Sequence, residues 1–203
     1  MADSILPASD ILRQVLEEYS SRISIDSGSK LLVSDIDIAA QIAESTKDIR
    51  TPYGPTITVA TRGSGTQDAS KIPSGVQVSL EPLESLTPKM DHFTHAVFAV
   101  NSEDPKVVLE GLRWMRHALR PKGIAIVISL KQGSGEGKDG QFMLDLEDKI
   151  KYQSRGKVST LTDVLEIAKF ERGKIRAMEM RSSGPEGVEA QVVLAMKWDQ
   201  LTA

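Results

Sequence analysis

The chain has 203 residues, of which 40% are hydrophobic and 26% are charged, a balance typical of a globular domain rather than a disordered chain. Its formal net charge of −3 leaves no basic excess that would favour nonspecific binding to DNA or RNA. It contains no cysteine, which excludes a disulfide scaffold, a thiolate nucleophile and a zinc or iron–sulfur site built on thiolates.

Helical and extended patterns alternate along the first half of the chain. Residues 10–23 place apolar side chains at i, i+4 and i+8, the spacing of one helix face, and residues 36–44 show a similar helical pattern. Aliphatic or β-branched runs between turn residues predict three strands, at 30–33, 56–61 and 76–80. The glycine- and serine-rich stretch 62–74 predicts a loop.

The centre and the end of the chain continue this alternation. Two nearly continuous apolar runs, 94–100 and 124–128, are typical of strands covered on both faces, and the amphipathic stretch 106–119 between them predicts a helix. The glycine-rich residues 132–140 predict a flexible loop, and residues 142–152 and 160–169 predict two helices. Residues 174–181 and 189–198 predict a terminal antiparallel pair of strands.

This order of elements predicts an α/β fold. Strands that alternate with helices favour a mostly parallel sheet with helices on both faces, because parallel strands need crossover connections. We expect a three-layer sandwich with a mostly parallel sheet, an antiparallel C-terminal strand and a first helix that packs over the sheet edge. No repeat and no shift in composition marks a second domain, so residues 1–203 are expected to form one domain.

The central segment carries a resemblance to a known family. Its strand 94–100 is followed by Asp104-Pro105, then by the helix, and then by Leu119-Arg120-Pro121-Lys122-Gly123 before the next strand. This order resembles the second half of class I S-adenosylmethionine-dependent methyltransferases, in which Asp-Pro starts a helix that ends in Leu-(Lys/Arg)-Pro-Gly-Gly. The segment is most similar to the UbiE-like small-molecule enzymes of fungi. The resemblance implies a Rossmann-like methyltransferase fold, a small-molecule substrate and S-adenosylmethionine as cofactor.

The first cofactor-binding motif of that family is degenerate in this chain. The family binds its cofactor through a turn after the first strand, (Asp/Glu)-x-Gly-x-Gly-x-Gly, whose glycines let the backbone approach the ligand. The corresponding residues, 31–39, contain no glycine. Ser34 and Asp35 hold the turn, and the β-branched residues Ile36 and Ile38 follow, which we expect to block the usual approach.

Two further cofactor positions also differ from the family. Arg62 follows the second strand, where the family carries an acid that binds the ribose hydroxyls. After the third strand, Glu81 and Leu83 occupy cofactor positions, Pro82 replaces the aspartate beside the adenine, and Glu81 or Glu84 would substitute for it. These departures predict that S-adenosylmethionine does not bind in the ordinary manner, and that the protein works without a cofactor.

Candidate catalytic residues are polar side chains at the ends of strands. Open α/β sheets bind ligands beyond the carboxyl ends of their strands. Asn101 ends the fourth predicted strand and Lys131 ends the fifth, so we predict these two as acid–base or polar groups of the site. The His, Asp and Glu residues show no zinc-ligand spacing, so no metal is predicted.

Three functions agree with these observations. The first is a diverged methyltransferase-like protein of small-molecule, including secondary, metabolism, whose cleft now serves another reaction such as cyclisation or isomerisation. The second is a non-catalytic pseudo-methyltransferase that binds or stabilises a partner protein, in a homo- or hetero-oligomer. The third is an ordinary S-adenosylmethionine-dependent methyltransferase. Without a signal-peptide pattern or a run of about 18 apolar residues, a cytoplasmic protein with no membrane or nucleic-acid partner is expected.

Overall fold

The computed structural model describes residues 7–49, 54–61, 78–82, 89–100, 105–131, 160–183 and 187–198. The helices in these ranges are α1 (Pro7–Glu18), α2 (Ser20–Ile23), α3 (Ile36–Ser45), α4 (Pro105–Ala118) and α5 (Leu161–Ile167). The strands are β1 (Lys30–Val33), β2 (Thr56–Thr61), β3 (Val78–Pro82), β4 (Phe93–Val100), β5 (Leu119–Lys131), β6 (Ile175–Arg181) and β7 (Glu189–Met196). Short 3₁₀ turns lie at Lys47–Ile49 and Arg172–Lys174.

The strands form one sheet in the order β3-β2-β1-β4-β5-β7-β6. Strands β1 to β5 are parallel, whereas β7 runs antiparallel to both of its neighbours, β5 and β6. The predicted mostly parallel sheet with an antiparallel C-terminal strand, flanked by helices, is therefore confirmed. The chain lays β2 and β3 on one side of β1 and then crosses to place β4 on the other side, so the strand order reverses between β1 and β4.

The sheet has a hydrophobic core on each face. Leu32 and Ala96 belong to a buried cluster with the inward residues of α4 and α5, whereas their neighbours Leu31 and Val97 belong to a second cluster with α1 and α3. Because side chains alternate between the faces of a strand, β1, β4 and β5 must be apolar at nearly every position. Burial of each such aliphatic side chain contributes roughly 1.5–3 kcal/mol.

The N-terminal helix differs from its prediction in two respects. The predicted helix 10–23 is divided into α1 and α2 by a turn at Tyr19. The expectation that it packs over the sheet edge is wrong, because α1 packs against α3 and against β5, which is an interior strand. Its apolar stripe, Ile11, Leu12 and Val15, has no exposed surface, and a broad sheet face covers such a stripe better than an edge does.

Most of the other boundaries agree closely with the patterns, but the strand predicted at 124–128 is longer in the structure, where β5 spans Leu119–Lys131. The strand predicted at 76–80 is described as Val78–Pro82, and the helix predicted at 160–169 is Leu161–Ile167. Thr160 and Asp163 form a capping box at the start of α5, since the Thr160 hydroxyl accepts from the Asp163 amide and the Asp163 carboxylate accepts from the Thr160 amide. The loops predicted at 62–74 and 132–140 and the helix predicted at 142–152 lie outside the described residues.

A buried lysine anchors the amino-terminal end of the sheet. Lys197 Nζ donates to Asp91 Oδ1 at 2.6 Å and to the carbonyl oxygen of Leu119 at 2.8 Å. The backbone of Lys197 also pairs with the start of β5, where it accepts from the Lys122 amide and donates to the Gly123 carbonyl. These bonds hold the turn before β4, the first residues of β5 and the end of β7 together.

No helix within the described ranges is both long and apolar enough to span a membrane.

Candidate functional site

The reversal of strand order places the candidate site at the carboxyl ends of β1 and β4. In open α/β sheets the crevice at such a switch point is the usual place for a ligand. Val33, the last residue of β1, pairs with Val97 of β4, and the following Ser34 amide donates to the Val97 carbonyl at 3.0 Å. The predicted cofactor residues Ser34 and Asp35 therefore lie at this crevice.

Ser34 locks the end of β1 to β4. Its hydroxyl oxygen accepts a hydrogen bond from the Ala99 amide at 3.1 Å and its hydroxyl proton goes to Asp35 Oδ2 at 2.9 Å. Ala99 is 7% exposed, so its amide needs this partner. The Ser34 side chain therefore fills a backbone hydrogen-bonding position between the two strands.

Asp35 is the N-cap of α3. Its backbone is extended, with φ −157° and ψ 168°, and its Oδ1 accepts from the Ile38 amide at 2.9 Å. Aspartate is a preferred N-cap because its carboxylate satisfies a free amide and its charge is stabilised by the positive end of the helix dipole. The N-terminus of α3 is thus occupied by a carboxylate of the chain itself.

The connection from β1 to α3 is short. β1 ends at Val33 and α3 begins at Ile36, so Ser34 and Asp35 alone join them. Of the positive-φ residues within the described ranges, none lies in this turn. The Ile36 and Ile38 side chains are 6% and 1% exposed and belong to the core of the α1 face. The short length of the turn and its side-chain hydrogen bonds therefore leave little backbone free for a ligand. The side chains of Ile36 and Ile38 point into the interior and do not block the approach.

This turn does not fit S-adenosylmethionine held in the family's manner. A glycine-rich turn offers free backbone amides at the start of a helix to a ligand. Here the Ile38 amide is bonded to Asp35 and the Ala99 amide is bonded to Ser34. The cofactor carries a carboxylate of its own, and the fixed carboxylate of Asp35 would repel it at this helix terminus.

Glu81, predicted to substitute for a missing acid, lies two strands away at the end of β3. It pairs with Ala60 of β2, and both of its carboxylate oxygens accept from Lys89 Nζ. The side chains of Glu81 and Lys89 are only 22% and 30% exposed. The ion pair neutralises this carboxylate, and the sequence offered no signal for it because the two residues are eight positions apart and Lys89 belongs to no helix or strand.

The remaining predicted site residues are only partly placed. Arg62, Leu83 and Asn101 lie outside the described residues, as does Glu84. Lys131 is the last residue of β5, where it pairs with Glu189 at the start of β7. The structure thus brings Ser34 and Asp35 together at the end of β1 and separates them from Glu81.

A buried histidine network lies on the α1 face and was missed as a network by the sequence analysis. His95 is 5% exposed, its Nε2 donates to the Ile23 carbonyl at 2.5 Å, and its Nδ1 lies 2.7 Å from Thr94 Oγ1. Burial lowers the pKa of His95, although the hydrogen bond to Ile23 opposes this effect. Among the residues that the structure describes, no three His, Asp or Glu side chains cluster in a way that would hold a metal ion.

Comparison with known proteins finds similarity in three-dimensional structure. No protein-family model matches the chain, and none of the curated proteins matches it. An S-adenosylmethionine-dependent methyltransferase from Methanosarcina mazei has a TM-score of 0.54 at 14% identity, over 91% of this chain and 97% of that chain. Another from Archaeoglobus fulgidus has a TM-score of 0.57 at 12% identity, over 93% and 94%.

A third solved structure is that of the 1,6-didemethyltoxoflavin-N1-methyltransferase of Burkholderia thailandensis, which holds 1,6-didemethyltoxoflavin and S-adenosylhomocysteine. It has a TM-score of 0.53 at 15% identity, over 95% of this chain and 79% of that chain. At such identities the likeness concerns the fold alone. The fungal, UbiE-like subtype stays a prediction.

Proposed function

The chain has the class I methyltransferase fold, and from this premise we propose that it is a diverged protein of that fold in small-molecule metabolism. It does not bind S-adenosylmethionine through the β1–α3 turn, and its crevice at the ends of β1 and β4 holds a different organic molecule. The observation that carries this proposal is the Asp35 carboxylate bonded to the Ile38 amide at the helix terminus.

The energy of this arrangement supports exclusion of the cofactor. Displacing the cap would cost roughly 0.5–2 kcal/mol of stability. If the cap stays, a ligand carboxylate about 4 Å away meets a repulsion of about 4 kcal/mol at the effective dielectric constant near a protein surface. Each 1.4 kcal/mol is about a factor of ten in affinity, so a cap that stays in place weakens binding by roughly a thousand-fold, and a cap that is displaced weakens it by roughly two- to thirty-fold.

The reaction we propose for the crevice is one that needs no cofactor. Cyclisation and isomerisation move a proton from one atom of a substrate to another, so two polar groups at fixed positions suffice. Asn101 and Lys131, which follow or end β4 and β5, are the groups proposed to orient the substrate and to exchange its proton. The apolar walls of a crevice would supply most of the binding energy.

Calorimetric titration of the full chain with S-adenosylmethionine and S-adenosylhomocysteine tests the proposal. We expect no heat of binding up to about millimolar ligand, which is roughly a thousand-fold weaker than micromolar binding. Micromolar binding would contradict the proposal and would restore the reading of an ordinary methyltransferase. Saturation at micromolar ligand also separates this outcome from weak adsorption.

A matched variant pair identifies the cause of a negative titration. Asp35→Asn keeps an N-cap side chain but removes the charge, whereas Ser45→Ala changes an exposed residue at the other end of α3. We expect Asp35→Asn to gain measurable affinity for S-adenosylhomocysteine, and Ser45→Ala to gain none. If Asp35→Asn also binds nothing, the negative charge of Asp35 is not what excludes the cofactor.

A screen of small organic molecules tests the second half of the proposal. Ligands that raise the thermal unfolding temperature of the full chain should lose this effect in Asn101→Ala or Lys131→Ala. Ligands that stabilise all three proteins equally would place their site elsewhere. The second function, binding of a partner protein, is supported by a different part of the surface, the edge of the sheet at β6. The cytoplasmic location stays a prediction.

A further inference from the structure

Two cations at the start of the edge strand β6 lie on aromatic rings, Lys174 directly before the strand and Arg176 within it. Lys174 Nζ lies 4.3 Å from the centroid of Trp198, and the guanidinium carbon of Arg176 lies 5.7 Å from the centroid of Tyr19. Both distances are within the range of cation–π interactions. Because the two cations are two residues apart, their Cα atoms are within about 7 Å of each other.

These two cations have no acidic partner within the described ranges, unlike their neighbours. Arg172 pairs with Asp163 and Glu166, and the Arg181 guanidinium donates to the Gly187 carbonyl. No ion pair or hydrogen bond from the side chain of Lys174 or Arg176 is found among the same residues. Their positive charges therefore face the surface without compensation from the part of the chain that the structure describes.

The backbone at the same place has a free side. β6 is the last strand of the sheet and pairs only with β7 among the described strands. An edge strand exposes a row of amide and carbonyl groups that can pair with an added strand. Extended peptides bind other proteins in this way, with backbone bonds for affinity and alternate side chains for specificity.

The aromatic partners prepare the two cations for a ligand. Tyr19 lies at the turn between α1 and α2 and packs partly against the core, so its ring is a fixed support for Arg176. Trp198 follows β7 and is 39% exposed. A long side chain that already rests on a ring loses less conformational freedom on binding than a free one. Charges placed only to prevent edge aggregation need no such support.

We propose that the β6 edge binds an extended acidic segment of a partner protein, which adds as a strand beside β6. Two carboxylates at positions i and i+2 of that segment bond to Lys174 and Arg176, since residues two apart on a strand point to the same face. This interaction surface involves residues of β6 and its flanks, whereas the crevice for the small molecule lies at the ends of β1 and β4. The proposal gives the partner-binding function a definite place and a definite ligand chemistry.

Fluorescence anisotropy with synthetic peptides tests the proposal on the full chain. The probe is fluorescein-labelled acetyl-Thr-Glu-Val-Glu-Val-Thr-amide, and the comparison peptide, Thr-Glu-Glu-Val-Val-Thr, has the same composition with adjacent glutamates. We expect the alternating peptide to bind at least ten-fold more tightly than the shuffled one. We expect its affinity to fall at least five-fold when sodium chloride is raised from 50 to 500 mM, because salt screens exposed charge pairs.

Variants locate the binding on β6. Lys174→Ala/Arg176→Ala should weaken the alternating peptide at least ten-fold, whereas Lys30→Ala/Arg113→Ala, which removes two exposed cations from β1 and α4, should change affinity less than two-fold. Lys174→Glu/Arg176→Glu should instead bind the peptide with lysine in place of glutamate. Binding of the lysine peptide by this variant would show that the variant is folded and that its β6 edge still binds peptides. Circular dichroism checks the folding of each variant.

Four results would overturn the proposal. Equal affinity of the wild-type protein and the Lys174→Ala/Arg176→Ala variant would exclude the surface, and equal affinity for the two glutamate peptides would exclude strand addition. Tighter binding of an oligothymidylate of equal charge would assign the surface to nucleic acid. Self-association in light scattering that the double alanine variant abolishes would assign it to a second copy of the chain. None of these results changes the titration with S-adenosylmethionine, so the two proposals are judged separately.

Discussion

Lys122 and Gly123, adjacent in the turn at the start of β5, meet opposite requirements. Lys122 adopts a left-handed φ of 63°, which favours glycine, whereas a Cβ atom on Gly123 would lie 2.8 Å from the carbonyl oxygen of Arg120 and 3.1 Å from that of Thr94. The methyltransferase motif that this segment resembles has glycine at both positions. The first glycine of the motif would suit the left-handed backbone, but this chain has Lys122 there. The second glycine leaves room for the neighbouring carbonyl groups, and this chain retains it as Gly123.

Replacement of Lys122 by glycine should therefore stabilise the protein. We expect Lys122→Gly to raise the free energy of unfolding by about 1 kcal/mol, since an L-residue in the left-handed region costs about that much relative to glycine. Urea unfolding followed by circular dichroism measures the change. Arg120→Gly is the matched control, because Arg120 is also exposed but lacks a positive φ, and it should lower stability. A loss of stability in both variants would contradict the argument.

Replacement of Gly123 by alanine should have the reverse effect. Two of the three closest atoms are backbone carbonyl oxygens, which cannot move without displacing β4 or the turn itself, and the third is Leu119 Cδ2 at 3.0 Å. We expect Gly123→Ala to lower the free energy of unfolding by about 1–3 kcal/mol, the usual cost of overpacking. Gly173→Ala is the control, because no atom lies within 4 Å of the added methyl group. If the two alanine variants unfold at the same urea concentration, the steric reading of Gly123 is wrong.

Asp10 joins the N-terminal helix to the β6–β7 hairpin. Burial alone would raise the pKa of Asp10, but hydrogen bonds from Arg13 and Ser183 outweigh burial and hold it below its ordinary value. Its oxygens accept from the Ser183 amide at 2.7 Å and from the Ser183 hydroxyl at 2.8 Å. We expect Asp10→Ala to lower the free energy of unfolding by about 2–3 kcal/mol, as for hydrogen bonds to a buried charge.

The pH dependence of this contribution has a definite sign. Because the folded pKa of Asp10 is depressed, its stabilisation is present above the unfolded pKa, near 4, and is lost as the pH falls through the folded value. The difference in stability between wild-type protein and Asp10→Ala should thus shrink as the pH falls below the unfolded pKa, near 4, toward the depressed folded pKa. Urea unfolding of both proteins between pH 7 and pH 2.5 measures this. A constant difference across that range would exclude the carboxylate as its source.

His95 should make the fold sensitive to mild acid. Burial lowers its pKa, and the charge of Arg120 lowers it further, against the opposing hydrogen bond to Ile23 and the charge of Asp26. The Ile23 carbonyl can only accept, so Nε2 carries the proton of the neutral ring and Nδ1 accepts from the Thr94 hydroxyl. A depressed folded pKa means that stability present above the unfolded pKa, near 6.5, is lost as the pH falls through the folded pKa.

Unfolding measurements between pH 7.5 and pH 5 test this expectation. The loss should approach about 1.4 kcal/mol for each unit by which the folded pKa lies below the unfolded one. His95→Gln should remove the slope, although it will also lower stability at pH 7.5. Partial burial and the charges of Lys30 and Lys89 also lower the pKa of His92, but its side chain is exposed, so His92→Gln should change the slope less than His95→Gln does. A slope that persists in His95→Gln would assign it to another group.

The sheet was predictable because its inner strands are covered on both faces. The apolar runs at 94–100 and 124–128 can be recognised in the sequence as strands, since their side chains pack against the helix layer on one face or the other. The position of α1 was not predictable in the same way. Its periodicity shows which face is apolar, but the choice between the edge and the interior strand β5 depends on how much surface the whole sheet offers.

The candidate site was predictable in place but only partly in chemistry. Ser34 and Asp35 follow an apolar strand, so their position at the carboxyl ends of the parallel strands follows from sequence order. An aspartate directly before a helical pattern is also an N-cap signal, and it accounts for Asp35 without reference to any ligand. Neither the sequence order nor a capping signal predicts the pairing of Glu81 with Lys89, because this pairing depends on the route that the chain takes between β3 and β4.

The two-residue connection between β1 and α3 is maintained by the fold itself, whether or not a ligand binds there. The Asp35 carboxylate accepts from the Ile38 amide and the Ser34 hydroxyl accepts from the Ala99 amide. Glycine at either position would leave one of these amides without its partner, so each single step toward a glycine-rich turn weakens the start of α3 or the junction of β1 with β4. Selection for stability alone would therefore retain both polar side chains.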